Sequence, residues 1–467
     1  MGLPGLFLLN VLFLVAGSGI LWGIRGWASW GEWLALSGVS YMLGLASSAV
    51  VMTLNLVWGG GASMGEILLV TLALAALGTA LGGLRRRPLP TAFRLHLPRT
   101  TAGWAGIALG FCTTVLLGEF FRQARVDPLR DWDGWAFWIP KAKIIYFFGT
   151  IDTAPFRSLT AGSYPLLVPA LDAMDFRFLG SANTMLIAVQ DWLLLVGFVA
   201  AMAGLLRTLA PQWLVWLFAA SAVVLPQLDA RLLHRIGDWP LDIFFCLAAL
   251  ALARWILTRE TWALVAFGVL LAAMLATKRE GQLLAACVVV GGVVALGWRD
   301  RRRWPLPIAA AGVAYLLNVP WRLWWTSRGL SSDTPAGGLI GSTLHFSRVG
   351  ASFHLVLSLL FDYGMWNAAL PVAVAAAVLL LTHAERRAAV FFLVTAGLGV
   401  VGWAWVNWSD PSLPISADDA LNPTDRAVGS VALLSLALTP LLLAPLLRAL
   451  PGRRTVPSGD VAADAAT

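Results

Sequence analysis

Apolar runs long enough to cross a membrane recur along most of this 467-residue chain, with short polar breaks between them. A helix of about 20 apolar residues crosses the hydrocarbon core of a bilayer, which is about 30 Å thick. Helices are the expected spanning form, because lipid offers no hydrogen-bond partner to free backbone groups. Only 12% of the residues are charged, whereas soluble domains carry about 25%. The sequence therefore predicts an all-α polytopic membrane protein.

The apolar runs predict about thirteen spans, each long enough for one helical crossing. They lie near residues 5–24, 33–57, 66–84, 102–121, 183–206, 212–228, 240–257, 262–277, 281–297, 305–325, 365–382, 388–408 and 427–447. Seven clusters of basic residues fall alternately between them, so that all seven lie on one face of the membrane. These clusters are Arg25, 85–87, Arg207, Arg254 with Arg259, 299–303, 385–387 and 448–454. The positive-inside rule makes that face cytoplasmic, with the N-terminus outside and the C-terminus inside.

The formal net charge of +8 is interpreted as the loop charge of a membrane protein, and no nucleic-acid partner is expected. Membrane lipids are the expected surroundings. The chain contains no Walker A pattern and no HExxH. An ATP-driven pump and a zinc protease are therefore not indicated.

One segment on the opposite, outer face combines charged and aromatic residues: RDWDGWAFWIPKAK at 130–143, which contains Asp131 and Asp133. Treated as a helix at about 100° per residue, it places its aromatic side chains opposite Asp133, with Lys141 and Lys143 about 80° to either side. One interpretation is an amphipathic helix at the membrane surface with solvated charges. The other is a carboxylate that takes a proton from a hydroxyl or binds a metal, beside lysines that hold phosphate.

Two further outer segments place charges at the ends of predicted spans. In HRIGDWPLDIFF, Asp238 is a candidate N-cap, and Asp242 lies in the first turn of an apolar helix, where a carboxylate needs a polar cavity. In ATKREGQLL, Lys278, Arg279 and Glu280 form the whole turn between two spans. Charges this close to membrane depth are costly unless they are paired or hydrated. A plain hairpin turn and a phosphate-binding lysine both stay open as interpretations.

Other titratable residues near the outer face give weaker indications. Arg322 either snorkels to the interface or clamps an anionic lipid headgroup. Arg426 either pairs with its neighbour Asp425 or binds a headgroup in the same way. Glu119, near the outer end of the fourth span, is a candidate to face the same cavity.

The order of these segments resembles an enzyme family. DWDGWAFWIPKAKIIYFFGTID followed by SYPLLVPALDA resembles the first outer loop of bacterial GT-C glycosyltransferases. These polytopic enzymes, related to the protein O-mannosyltransferases and the aminoarabinose transferases of lipid A, use sugars linked to lipid phosphates. GDWPLDIF resembles a later aromatic-Asp-x-Pro-Leu segment of the family, and TKREG resembles its Lys-x-Glu-Gly turn.

The resemblance implies a GT-C-like bundle with interfacial helices in the first large outer loop, located in the bacterial inner membrane. Three extra spans in residues 1–100 would precede a catalytic core of residues 101–447, whose outer loop 122–182 carries the motif. Residues 448–467 would form a small, polar cytoplasmic tail, which is expected to be disordered.

The resemblance also implies a reaction. A sugar would pass from a polyprenyl-phosphate donor, with inversion, to a hydroxyl of a glycan, lipid or protein acceptor on the outer face. Asp133 would act as the general base, and Asp131, the second candidate, as its partner or as a cap. The donor phosphate would be bound by Lys141, Lys143, Lys278, Arg322 and Arg426. The sugar and the acceptor would contact Tyr164, Asp238, Asp242 and Glu280.

No cofactor follows from the residues. Some relatives use a divalent cation, and no ligand set for one is visible here. Two alternative functions are a flippase or other transporter of lipid-linked glycans, and a polymerase resembling the O-antigen ligases. Transporters place charges at the membrane midplane and on broken helices, whereas the charges of this chain gather at the outer ends of spans. The O-antigen ligases depend on a large loop between late spans, whereas the acidic loop here comes early.

Overall fold

The computed structural model describes residues 2–93, 98–126, 129, 131–228, 237–330, 346–410, 413 and 423–449. These residues form helices joined by turns, and no strand occurs among them. The all-α class is therefore confirmed for this part of the chain.

Every predicted span contains a helix, and further helices lie in the stretches between the predicted spans. In chain order they are α1 Leu3–Ile24, α2 Trp30–Val57, α3 Met64–Leu84, α4 Thr101–Ala124, α5 Ile139–Phe148, α6 Ala154–Arg157, α7 Leu167–Leu179, α8 Ala188–Leu206, α9 Gln212–Val223, α10 Asp238–Thr258, α11 Thr261–Thr277, α12 Gly281–Leu296, α13 Pro305–Ser327, α14 Val349–Leu360, α15 Tyr363–Trp366, α16 Ala369–Leu380, α17 Arg387–Ser409, α18 Thr424–Ala427 and α19 Gly429–Ala449. A π-helical turn, Gly134–Trp138, precedes α5, and 3-10 turns cover Trp298–Arg303 and Phe346–Arg348.

Eight helices in the described ranges are long and apolar enough to cross a membrane. They are α1, α2, α3, α4, α8, α10, α17 and the stretch from α18 through α19. The apolar helices α9, α11, α12 and α16 have between 12 and 17 residues, fewer than the about 20 that a perpendicular crossing needs. The structure therefore supports a multi-pass membrane protein, and the count of about thirteen spans stays a prediction.

Helix α10 is the central helix of the bundle. It is buried at every residue from Asp238 to Ile256 and packs against α8, α11, α12 and α19. Apart from Arg254, its sequence below the first turns is apolar around the whole circumference, which is typical of a helix with neighbours on all sides. Because α10 begins at Asp238, this packing fixes the position of the carboxylates at its start.

The first three helices pack closely on one another. Gly17 of α1 and Gly44 of α2 lie where the backbones meet, since a Cβ atom would lie 1.6 Å from the Ser40 carbonyl oxygen and 1.8 Å from that of Phe13. Small residues at such contacts let membrane helices approach closely. Helix α2 also packs against α8, which connects these helices to the rest of the bundle.

The arginine clusters meet at one end of the bundle, which we call the arginine face. Arg254 donates to the carbonyl oxygens of Leu205 and Arg207 at 2.7 and 2.9 Å. Ion pairs join Arg25 to Glu32, Arg259 and Arg387 to Asp300, and Arg448 to Glu385. Arg25 also lies over the Trp262 ring, and Arg87 donates a hydrogen bond to the carbonyl oxygen of Ile24. These contacts support the prediction that the clusters share one face, and its assignment to the cytoplasm stays a prediction.

Candidate active site

Four segments that are far apart in the sequence meet at the end of the bundle opposite the arginine face. They are the stretch before α5, the start of α10, the turn between α11 and α12, and α18. Six of the predicted site residues interact here, and we call them the charged cluster: Asp131, Asp133, Asp238, Lys278, Glu280 and Arg426.

Arg426 joins α18 to the outer loop. Its guanidinium Nη1 donates to Asp133 Oδ2 at 2.9 Å and lies 3.8 Å from Asp131 Oδ1. Asp131 Oδ1 also accepts the backbone N–H of Asp133 at 3.0 Å, which holds the two aspartates in one tight turn. The sequence left open whether Arg426 pairs with Asp425. In the structure, the Arg426 guanidinium instead faces the carboxylates of Asp133 and Asp131.

Asp133 is mostly buried and has one engaged and one available oxygen. Burial raises the pKa of its carboxyl above the ordinary range, although the charges of Arg426 and Lys278 oppose that shift. Asp133 Oδ2 accepts from Arg426, whereas Oδ1 accepts no hydrogen bond from any residue the structure describes. A carboxylate with a free lone pair and a raised pKa has the properties of a general base.

Lys278 joins the other two carboxylates of the charged cluster, those of Asp238 and Glu280. Its ammonium donates to Asp238 Oδ1 at 2.7 Å and lies 3.4 Å from Glu280 Oε1, and the side chains of Lys278 and Asp238 are only 10% and 8% exposed. Burial alone lowers the pKa of Lys278, but the carboxylates of Asp238 and Glu280 outweigh it and raise that pKa. Lys278 is therefore a fixed positive charge.

The prediction that Asp238 is an N-cap is wrong. Gly237 occupies the N-cap position, Asp238 is the first helical residue, and no side chain caps the start of α10. The reason is electrostatic, because the Asp238 carboxylate pairs with Lys278. Gly237 also allows α10 to approach the outer loop, since a Cβ atom there would lie 2.6 Å from the Trp138 ring.

The turn between α11 and α12 is as short as the sequence predicted. Helix α11 ends at Thr277 and α12 begins at Gly281. Gly281 is needed at this position, because a Cβ atom would lie 2.7 Å from the carbonyl oxygen of Met274. The three charged residues between the helices are thereby confined to a single turn.

Aromatic rings form one wall beside the charged cluster. Tyr164 lies 5.6 Å from the Phe137 ring and 5.7 Å from the Trp138 ring, centroid to centroid. The Arg279 guanidinium lies 5.3 Å from the centre of the Tyr164 ring. The charge of Glu280 and burial both raise the pKa of the Tyr164 hydroxyl. Tyr164 therefore stays a neutral hydrogen-bonding group beside the cluster.

Arg279 was not among the site residues predicted from the sequence. It stacks between the rings of Tyr164 and Trp325, and its Nη2 atom is buried without a hydrogen-bond partner in the described part of the chain. A buried guanidinium nitrogen without an acceptor is costly and suits an anionic ligand. The signal in the sequence was the turn itself, in which Arg279 stands between Lys278 and Glu280.

Two exposed tryptophans were also missed. Trp132 and Trp135 stand on either side of Asp133 in the chain, are 55% and 54% exposed, and pack edge to face at 6.2 Å. Such large exposed rings next to a charged cluster provide apolar surface for a ligand or for lipid. A helical projection of the sequence places Trp135 on the membrane-facing side and gives no role to Trp132, so neither ring was predicted to belong to the site.

The structure buries Lys141, which the helical arithmetic had placed on the charged side of the segment with Asp133. It is fully buried, and its ammonium donates to the carbonyl oxygen of Ala161 at 2.5 Å. The reason is the π-helical turn Gly134–Trp138, because its wider turn rotates every later residue relative to Asp133. The face of α5 expected toward the membrane, with Ile139 and Ile145, is buried against the protein.

Several other predicted residues lie outside the charged cluster. Arg322 points back along α13 and donates to the Tyr315 hydroxyl at 2.6 Å. Lys143 is half-buried, and no contact in the described residues joins it to the cluster. Asp242 is buried one turn below Asp238, where both line a small pocket with Trp366.

The expectation that Glu119 faces the cavity is wrong. Its carboxylate is 55% exposed and pairs with Arg122, one turn further along α4, at 2.9 Å. The pairing is local because residues three apart are neighbours on a helix surface. Glu119 therefore has no part in the site.

No group of three or more Asp, Glu, His or Cys side chains that could hold an ion occurs in the ranges described above. Asp131 and Asp133, the natural oxygen ligands, both face the positive charge of Arg426.

The charged cluster and its aromatic wall are a compact ionic site at the end of an apolar bundle. In comparisons with known proteins, the chain matches no family model, no curated protein and no solved structure.

Proposed function

We propose that the protein is a membrane glycosyltransferase that moves a sugar from a polyprenyl-phosphate donor to an acceptor hydroxyl, with Asp133 as the general base. One observation carries the proposal. In the charged cluster, Asp133 has a raised pKa and an oxygen, Oδ1, that accepts no hydrogen bond from the described residues. Beside the cluster, against Tyr164, Arg279 has a buried guanidinium nitrogen without a partner in the described part of the chain. A base and an anion-binding group at a membrane boundary suit transfer from a lipid phosphate.

In this reaction Asp133 Oδ1 takes the proton of the acceptor hydroxyl as its oxygen attacks the anomeric carbon. The bond from that carbon to the phosphate oxygen breaks, and its electron pair leaves on the lipid phosphate. Attack from the face opposite the phosphate inverts the anomeric configuration. Negative charge builds up on the leaving phosphate, and fixed cations placed in advance stabilise such charge most effectively.

The cations of the site have different roles in stabilising this charge. Arg279 has an unsatisfied buried nitrogen and is the primary phosphate ligand. Lys278 and Arg426 are each held by carboxylates at 2.7 and 2.9 Å, so they set the field of the site and position Asp238 and Asp133. The exposed rings of Trp132 and Trp135 provide the surface against which the donor packs on entry from the membrane.

Sugar transfer by purified protein tests the proposal. Radiolabelled polyprenyl-phosphate sugars and a membrane extract as the source of acceptors are supplied to the wild type and to Asp133→Asn. We expect transfer by the wild type and a loss of about 10²–10⁴-fold in the variant, the usual contribution of a general base.

Asp152→Asn is the matched control, because Asp152 is an exposed carboxylate of the same loop that pairs with Arg328 at 2.9 Å. It should retain wild-type transfer. Equal transfer by the wild type and Asp133→Asn would exclude Asp133 as the base, whereas no transfer by any variant would exclude the enzyme for the donors supplied.

One observation favours a second candidate, a transporter of lipid-linked glycans. Asn10, Tyr41 and Gln190 form a buried hydrogen-bonded group within α1, α2 and α8, with bonds of 2.7 to 3.4 Å. Polar groups inside a membrane bundle often mark a transport pathway. Translocation of a labelled lipid-linked sugar across vesicles, without formation of a product, would select this function.

A further inference from the structure

A cleft opens at the arginine face, at the far end of α12 from Lys278. It lies between the end of α12, the 3-10 turn after it and the start of α17, and it contains about 640 Å³ of open space. Ligand-binding pockets commonly have about 300–1,000 Å³. The residues that define it are Val294, Trp298, Arg299, Leu381, Arg386 and Arg387, and we call it the arginine cleft.

The arginine cleft has an excess of positive charge. Asp300 Oδ2 lies 2.7 Å from Arg259 Nη2 and 2.8 Å from Arg387 Nη2, so one carboxylate serves two guanidiniums. Arg299 and Arg386, which line the cleft, form no ion pair with any residue in the described part of the chain. Two guanidiniums at a concave surface thus lack an anion.

The start of α17 adds to the positive charge of the arginine cleft. Arg386 is its N-cap and Arg387 its first residue, no acidic residue lies in the first turn, and no side chain caps it. A helix N-terminus carries a partial positive charge and normally attracts acidic residues. Asp300 offsets this repulsion for Arg387, whereas Arg386 has no carboxylate partner among the residues that the structure describes.

The rest of the cleft is apolar. Val294 and Leu381 are 46% and 38% exposed, and Trp298 is 70% exposed at the rim. Trp298 occupies the position of an interfacial anchor, so the arginines lie at headgroup level and the apolar wall continues into the membrane. A soluble anion would use only the charged rim, whereas an anionic phospholipid would use both parts.

We propose that the arginine cleft binds an anionic phospholipid, with its headgroup phosphate at Arg299 and Arg386 and an acyl chain along Val294 and Leu381. Basic pockets between membrane helices suit such headgroups. This site is at the opposite end of the bundle from the charged cluster, and the proposal does not depend on the glycosyltransferase function.

Binding of fluorescent phosphatidylglycerol to the full-length protein in phosphatidylcholine nanodiscs tests the proposal. An arginine that lies against the lipid headgroup contributes about fivefold in affinity. The variant Arg299→Gln/Arg386→Gln should therefore bind the probe about 25-fold more weakly than the wild type. Arg299→Lys/Arg386→Lys keeps both charges and should retain most of the affinity, which separates loss of charge from loss of folding.

The matched control is Arg302→Gln/Arg303→Gln, which removes two exposed arginines of the same segment that do not line the cleft. It should bind the probe about as tightly as the wild type. Equal weakening by both double variants would overturn the proposal, because the effect would then be one of general surface charge. Displacement of the probe by inorganic phosphate alone would also overturn it, since the site would then be one for free phosphate.

Discussion

The two ends of the bundle use charge in opposite ways. In the charged cluster, anions and cations alternate and are largely buried, as in the Lys278–Asp238 pair at 2.7 Å. At the arginine face, Arg254 is buried and pairs with Glu260 at 2.6 Å, but guanidiniums outnumber carboxylates, and Asp300 serves both Arg259 and Arg387. Excess exposed cations suffice to orient a membrane protein. Balanced, buried charges cost desolvation energy and are not needed to orient the protein. We therefore assign chemistry to the charged cluster and lipid contact to the arginine face.

Breaking the buried pair gives the largest expected effect on stability. Lys278→Met leaves Asp238 and Glu280 without their common cation, so the free energy of unfolding should fall by about 3–5 kcal/mol. Chemical denaturation in detergent micelles measures it. The double variant Lys278→Met/Asp238→Leu, which removes both partners, should recover part of the loss, and no recovery would show that the pair is not the source of the stability.

Removing the charge of Arg279, which lies beside the charged cluster, should affect activity and leave stability almost unchanged. Arg279→Gln should lower sugar transfer by about 10²–10³-fold, the usual cost of losing one group that stabilises transition-state charge. Arg328→Gln is the matched control, because Arg328 also stacks on a tryptophan but is paired with Asp152. Equal losses in the two variants would remove Arg279 from the site.

The pH dependence of transfer tests the link between Arg426 and Asp133. Burial raises the Asp133 pKa and Arg426 opposes that rise, and a general base must be ionised to act. Transfer should therefore fall as the pH drops through the raised pKa of Asp133. In Arg426→Gln the acid limb of the profile should move to higher pH, and a limb that stays in place or moves lower would contradict the pairing.

Removing a carboxylate at the arginine face should lower the free energy of unfolding only slightly. Asp300→Asn removes the carboxylate between Arg259 and Arg387, whose partly exposed pairs contribute at most about 1 kcal/mol. Denaturation should show a loss of that size or less. A loss as large as that of Lys278→Met would mean that the two ends of the bundle do not differ in the way described.

Local features of the sequence predicted the fold well. Apolar runs located the helices, and the turn at Lys278 was predicted because three charges interrupt two adjacent runs. Features that depend on distant residues were not predictable. Asp133 and Arg426 are 293 positions apart, and no local pattern pairs them. Lys141 was misplaced because helical arithmetic assumes a regular turn, whereas the chain forms a π-helical one.

The most direct test of the account compares the two aspartates of the outer loop. Sugar transfer in a single turnover is measured for Asp133→Asn and Asp131→Asn under identical conditions. The account predicts that Asp133→Asn loses transfer by about 10²–10⁴-fold, whereas Asp131→Asn, which removes a charge but leaves the Asp133–Arg426 contact, keeps most of it. Full transfer by Asp133→Asn, or its loss only in Asp131→Asn, would contradict the central claim.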